Sequence, residues 1–192
     1  EANSLEIVLN RIEALEDLLN SLKDLSRPIQ LTRRKLTLWK LVDSVLLDVA
    51  ELPQAKAIII EADFPKTASC MGDGHWLKRV IYNLIRNASE ATAKVEEPRI
   101  AISGNVQGDR IELSISDNGC GISEENMTCL FEPFFSTKAD AGTGLGLSIS
   151  QRIIKLHGGN IRVKSEVGKG TTFKLDLPLA QEITSQETSS SS

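Results

Sequence analysis

An α/β domain preceded by a long helix is the fold this sequence predicts, and three observations point to it. Apolar residues recur at helical spacing in four separated stretches, alternating β-rich segments come in pairs joined by short polar turns, and glycines gather in loops that follow strands or precede helices. With 192 residues, of which 41% are hydrophobic and 25% charged, the chain can bury one core and carry one appended element.

The elements follow in order. Leu5, Val8, Ile12, Leu15, Leu19 and Leu22 step by three and four residues, an a/d seam widened by Leu9, Leu18 and Leu25. Such a helix suits a bundle or dimer better than its own domain, although an ordinary amphipathic helix also fits. Pro28 ends it, because proline has no amide hydrogen and pushes the preceding residue out of the helical region. Residues 36–49 are helical in period, and 57–62 form a β-branched run closed by Asp63-Phe64-Pro65. Residues 76–93 place Leu77, Val80, Ile81, Leu84, Ile85 and Ala88 on one face of a helix. Residues 99–105 and 111–117 make a hairpin across Gln107-Gly108-Asp109. After a glycine loop, 145–156 is a helix closed by His157-Gly158-Gly159, and 161–165 pairs with 171–177 across 166–170. The serine-rich end from Thr184 on is expected to be disordered.

Bulk properties exclude several functions. A net charge of -4 lacks the basic face that a nucleic-acid backbone requires. Cys70, Cys120 and Cys129 are odd in number and have no metal-ligand spacing, which reads as reduced thiols of a cytoplasmic protein. No apolar run is long enough to span a bilayer. Because the chain opens inside a helical pattern, it is expected to be a piece of a longer protein that could itself be membrane-anchored.

Four segments carry chemistry. In N-L-I-R-N-A-S-E-A, Asn83 and Asn87 lie one turn apart on one helix face, where neutral carbonyl oxygens suit magnesium completed by water and substrate phosphates. Two asparagines so placed also fit a plain solvated surface. In S-D-N-G-C-G-I, Asp117 ends a strand and Gly119 and Gly121 turn the backbone beneath it, so a carboxylate faces open space. It could accept a hydrogen from the exocyclic amine of adenine and would repel the oxygen of guanine, though D-N-G by itself also fits a β-turn. F-E-P-F-F-S-T-K clusters Phe131, Phe134 and Phe135 as an anchor ahead of a loop that could swing Lys138 toward a terminal phosphate. A-G-T-G-L-G-L then runs into a helix, where bare amides and the helix dipole favour a polyphosphate. It matches neither the P-loop nor the dinucleotide fingerprint.

In this order and at these separations, the segments resemble the asparagine box, first glycine box, phenylalanine box and second glycine box of the sensor histidine kinase catalytic domain, a member of the gyrase, heat-shock chaperone, histidine kinase and mismatch-repair (GHKL) ATPase superfamily. The resemblance runs from about residue 36 to 178 and includes L-H-G-G-N-I-R-V-K-S and G-K-G-T-T-F-K-L-D-L-P. The N-terminal helix is similar to the second helix of the family's dimerisation and phosphoacceptor domain. This implies three parts: 1–28 a partial dimerisation helix, 29–180 the ATP-binding domain, and 181–192 a tail.

The resemblance further implies a two-layer α/β sandwich of the Bergerat type, a mixed sheet with helices on one face. ATP and Mg2+ would be the cofactors, under a lid spanning about 135–144. Asn87 would coordinate magnesium with Asn83 assisting, Asp117 would read adenine, and Thr171 would join Asp117 through water. Gly119, Gly121 and the run Gly142, Thr143, Gly144, Leu145, Gly146 would shape pocket and lid, with Lys138 over the phosphates. The ATPase branches carry a water-activating glutamate where this chain has Asn83, which suits transfer to a side chain rather than hydrolysis. Ala91, in place of an aromatic residue near adenine, is similar to the nitrogen-regulatory branch.

The implied activity is that of a protein-histidine kinase, with phosphate passing to a response-regulator receiver domain and a homodimer formed through the N-terminal helix. His75 and His157 both read as structural, so the phosphoacceptor histidine is expected upstream. A degenerate nucleotide-binding scaffold is disfavoured by the intact asparagines, aspartate and glycines. Another kinase of the superfamily is disfavoured by the phenylalanine box and the leucine seam.

Overall fold

The computed structural model describes residues 28–50, 58–137 and 143–180, together with Ile12, Leu19 and Lys23. The elements are β1 (Arg34–Thr37), α1 (Leu38–Ala50), β2 (Ile59–Asp63), β3 (Ser69–Gly72), α2 (Gly74–Ala91), β4 (Arg99–Gln107), β5 (Arg110–Asp117), α3 (Glu124–Cys129), α4 (Gly146–Leu156), β6 (Asn160–Glu166) and β7 (Gly170–Pro178). Five strands form one sheet in the order β2-β4-β5-β7-β6, with β2 parallel to β4 and every other pair antiparallel. The expected mixed sheet is present.

Period-two alternation divides the sheet into a wet and a dry face. On β5, Ile111, Leu113, Ile115 and Asp117 are buried, while Arg110, Glu112, Ser114 and Ser116 face outward. The outer face is tied by Glu112 to Arg162 at 2.8 Å and Lys174 at 2.7 Å, and by Ser116 to Thr172 at 2.8 Å. The dry face is covered by α2, which packs between α1 and α4 and presents Leu77, Val80, Ile81, Leu84, Ile85 and Ala88. Each of these leucine, isoleucine and valine side chains stabilises the fold by about 1.5–3 kcal/mol before entropy is counted. Helices on one face of a mixed sheet make the two-layer sandwich that was expected.

Two parts of the fold differ from the sequence reading. The helix expected from residue 36 begins at Leu38, because Arg34–Thr37 pair with Ser69–Gly72 as a separate two-stranded sheet. The short α3 is set by Ser123, whose hydroxyl accepts the Asn126 amide hydrogen at 3.4 Å. The seam of the N-terminal helix lies outside the described residues, except that Ile12, Leu19 and Lys23 are helical and exposed. The tail also lies outside them. No helix among the described residues is long and apolar enough to cross a membrane.

The H-G-G closure of α4 is a Schellman turn: Gly158 has φ 73°, and the amides of Gly158 and Gly159 donate to the carbonyls of Lys155 and Ile154. His157 holds this end against the start of α2. Its Nδ1 donates to the Ile153 carbonyl at 2.8 Å and its Nε2 accepts from the Asp73 amide at 3.0 Å, which requires a neutral ring. Asp73 in turn caps α2 through His75 and accepts the Thr32 amide at 2.8 Å. Burial, with the Arg33 guanidinium adding to it, lowers the His157 pKa against the opposing pull of the Ile153 carbonyl and Asp73. Such a histidine takes up a proton on unfolding, so the stability it contributes is full above about pH 6.5 and is lost as pH falls toward its folded value. The melting temperature is therefore expected to fall between about pH 7 and 5, and His157→Gln, a neutral side chain with an acceptor, to flatten that part of the profile. Parallel profiles in thermal unfolding followed by circular dichroism would count against this assignment.

Candidate functional site

Alternation along β5 decides where Asp117 goes. As the last inward residue of the strand, it is drawn beneath the helices with only 8% of its surface exposed. Its Oδ1 accepts the amide hydrogens of Gly119 at 2.8 Å and Thr171 at 3.3 Å, and Oδ2 takes no hydrogen bond among the described residues. Burial pushes the carboxyl above its ordinary pKa, against those two amide bonds. The site therefore holds a desolvated acceptor with one face open, which is how a buried group discriminates between a donor and a second acceptor.

The first glycine loop is wedged between α2 and the β6–β7 turn. A Cβ at Gly119 would lie 2.7 Å from the Ala91 backbone, and one at Gly121, whose φ is 71°, would fall on the Glu166 carbonyl oxygen. The Cys120 amide donates to the Ala91 carbonyl at 3.2 Å, and its own carbonyl accepts from Gly168 at 2.9 Å. Thr171 reaches Asp117 directly through its backbone amide. Its hydroxyl pairs with Ser165 Oγ at 2.9 Å, and Ser165 also accepts the Ile122 amide at 2.8 Å.

Across from this loop, α2 carries Asn83 and Asn87 on its partly exposed side. Asn83 Nδ2 donates to Ser150 Oγ at 3.1 Å, whereas the Asn87 side chain makes no hydrogen bond among the described residues. Helix α4 starts at Gly146 beside Asn83, with no side chain capping its first amides. Those amides point out of the helix start and carry its positive end. Gly144, with φ 66°, lies against the backbone of Phe134 and Phe135. The phenylalanine segment thus packs onto the second glycine box, with Phe131 anchored on the core and Phe134 itself 64% exposed. Thr143 Oγ1 accepts the Leu145 amide at 3.4 Å, and Leu145 is fully buried.

Residues 72–181, more than half of the chain, match the family described as histidine kinase-, DNA gyrase B-, and HSP90-like ATPase. The chain belongs to this family. Its relatives are kinases: it is 35% identical over 178 residues to sporulation kinase C of Bacillus subtilis, covering 91% of this chain and 40% of that protein. The solved catalytic domain of histidine kinase ThkA matches with a TM-score of 0.68 at 31% identity, covering 78% of this chain and 98% of that one. Histidine kinase ThkA in complex with response regulator protein TrrA matches with a TM-score of 0.77 at 27% identity, covering 92% of this chain and 51% of that one. The chain is an ATP-binding histidine kinase catalytic domain, and it spans less than half the length of the sporulation kinase.

In this histidine kinase domain the structure brings Asn83 to Gly146 and Asp117 to Gly119 and Thr171. Lys138 and Gly142 lie outside the described residues. Ser150, Ser165 and Gly170 were not singled out by the sequence reading. Gly170 has φ 113° and a Cβ there would fall on the Asp117 carbonyl oxygen. Its glycine-rich turn was visible in the sequence, whereas the two serines sit in ordinary helix and strand positions that carry no local signal. No cluster of three or more His, Cys, Asp or Glu occurs among the described residues, so a cation here would rest on neutral oxygens and phosphate. That donor set fits magnesium, which keeps several waters and shares substrate phosphates.

Proposed function

We propose that this domain binds Mg-ATP and presents the γ-phosphate to a histidine on a helix upstream of it, for later passage to a response-regulator aspartate. The observation that carries the reading is Asp117: a buried carboxylate whose Oδ1 is held by two backbone amides while Oδ2 is left open. The open oxygen accepts from the adenine amine, and a guanine oxygen placed there meets like charge. Asn87, with Asn83 one turn away, holds the cation through side-chain carbonyls, and the first amides of α4 and Lys138 bind the phosphates. Bound magnesium would neutralise charge developing on the transferred phosphoryl group.

An asparagine at position 83 cannot take a proton from water, which leaves the γ-phosphate for a nucleophile brought from elsewhere. Neither histidine of this chain is that nucleophile: His157 has both ring nitrogens engaged in the core, and His75 stands in the first turn of α2. Two residues of the leucine seam, Ile12 and Leu19, are 47% and 66% exposed, in keeping with a second copy of the helix covering them in a homodimer. A receiver-domain partner is supported by the solved complex of histidine kinase ThkA with response regulator protein TrrA.

Calorimetric titration with non-hydrolysable ATP and GTP analogues, with and without magnesium, tests the reading. Adenine-selective binding strengthened by magnesium is the expected result. An absence of binding by the wild-type chain would move the assignment to a dimerising scaffold.

A further inference from the structure

Ser150 is 2% exposed, on the face of α4 that otherwise buries Ile149, Ile153 and Ile154. Its hydroxyl hydrogen goes to the Gly146 carbonyl one turn back, at 2.7 Å. The oxygen is thereby left only as an acceptor, and what it accepts is Asn83 Nδ2 at 3.1 Å. A hydroxyl so committed can be satisfied by only one end of a side-chain amide. It resolves the choice that an asparagine otherwise leaves open: NH2 toward Ser150, carbonyl oxygen away from it.

The carbonyl end consequently lies against the first residue of α4. A Cβ on Gly146 would fall on Asn83 Oδ1, and would come within 3.0 Å of Asn83 Cγ. Oδ1 thus lies beside Gly146, the first residue of the uncapped helix α4, and Asn83 is one turn along α2 from Asn87. Were the amide reversed, an NH2 group would meet the cation and phosphate side, and an oxygen would face the Ser150 oxygen with no hydrogen between them.

We propose that Ser150 is a positioning residue for cation binding: through the chain Asn83 Nδ2, Ser150 Oγ, Gly146 carbonyl, it keeps Asn83 Oδ1 turned toward the metal and phosphates. The proposal rests on the Mg-ATP reading and adds to it the residue that sets the Asn83 carbonyl. Loss of the hydroxyl removes the preference between the two amide orientations. Its consequence falls on the magnesium-dependent part of nucleotide affinity and leaves adenine recognition by Asp117 in place.

The test is calorimetry with a non-hydrolysable ATP analogue in magnesium and in chelator, on the wild-type chain, Ser150→Ala, Asn83→Ala and the double variant, with melting temperatures recorded for each. In Ser150→Ala the gain in affinity from magnesium is expected to drop by roughly tenfold, the value of one hydrogen bond, while affinity in chelator changes less than about twofold. In the Asn83→Ala background the Ser150 change is expected to have no further effect, because the two act as one unit. Equal losses with and without magnesium would make Ser150 a structural brace and overturn the proposal, as would additive effects in the double variant. A wild-type chain that binds the analogue indifferently to magnesium would overturn the metal reading itself, and a wild-type chain that binds nothing would overturn the nucleotide reading. Should Ser150→Ala not fold, nuclear magnetic resonance of the wild-type Asn83 side-chain amide decides. Retention of its hydrogen-bonded NH2 signals on addition of Mg-nucleotide supports the orientation, and their loss overturns it.

Discussion

Asp117→Asn is expected to weaken binding of an ATP analogue by about a hundredfold or more while leaving the melting temperature unchanged or raised. In the proposed role the carboxylate would give adenine a charged acceptor, and a hydrogen bond of that kind contributes about 1.5–3 kcal/mol, up to roughly a hundredfold in affinity. Asparagine does more than remove the charge. Because the amides of Gly119 and Thr171 both donate to one oxygen, the asparagine carbonyl must take that place, and its NH2 then occupies the open position. There it meets the adenine amine donor to donor. Discrimination against a guanine analogue, whose oxygen would now find a donor, is expected to shrink at the same time. Stability moves the other way: burial holds the Asp117 pKa above its ordinary value, so the ionised group costs the fold stability at neutral pH, a cost that shrinks as pH falls below the folded value and is gone only below the ordinary carboxylate value. Calorimetry and thermal unfolding on the same preparation check both halves. A variant that binds normally, or one that binds poorly because it is unfolded, would refute the role.

Gly121→Ala is expected to cost the fold about 2–5 kcal/mol. A φ of 71° costs an alanine about 1–2 kcal/mol, and its Cβ would also fall on the Glu166 carbonyl oxygen, with Val167 Cα at 2.9 Å, a clash worth about 1–3 kcal/mol more. All three contacts are backbone atoms of Glu166 and Val167, so no side chain can swing away. The β6–β7 turn must shift, and with it Thr171, which supplies one of the amides on Asp117. Nucleotide affinity should therefore fall along with a melting temperature lowered by on the order of 10 °C. Gly108→Ala is the control: its φ is 58°, but nothing lies within 4 Å of a Cβ there, so only the backbone part should appear. Similar melting shifts for the two variants would show that the crowding against Glu166 is not what matters.

Much of this was readable without coordinates. Helical spacing placed α1, α2 and α4 within a few residues of their ends, and alternation from Ile111 onward put Asp117 at the end of its strand. Each of these patterns is local, repeated every two or three to four residues along one segment. β1 and β3 were missed because four-residue strands of mixed polarity carry no such repeat. They exist only because Arg34–Thr37 and Ser69–Gly72 find each other across the chain.

The sequence by itself carried the order of the four boxes, on which the family resemblance rests, and the spacing of most helices and strands, because backbone turns at glycine and the periods of helix and strand are properties of short stretches. Tertiary structure alone decided how the site residues are aimed. Asn83 meets Ser150 67 positions away, and Asp117 meets Thr171 54 positions away. A hydrogen bond is made by distance and direction in space, and no local pattern specifies which distant donor or acceptor will complete it.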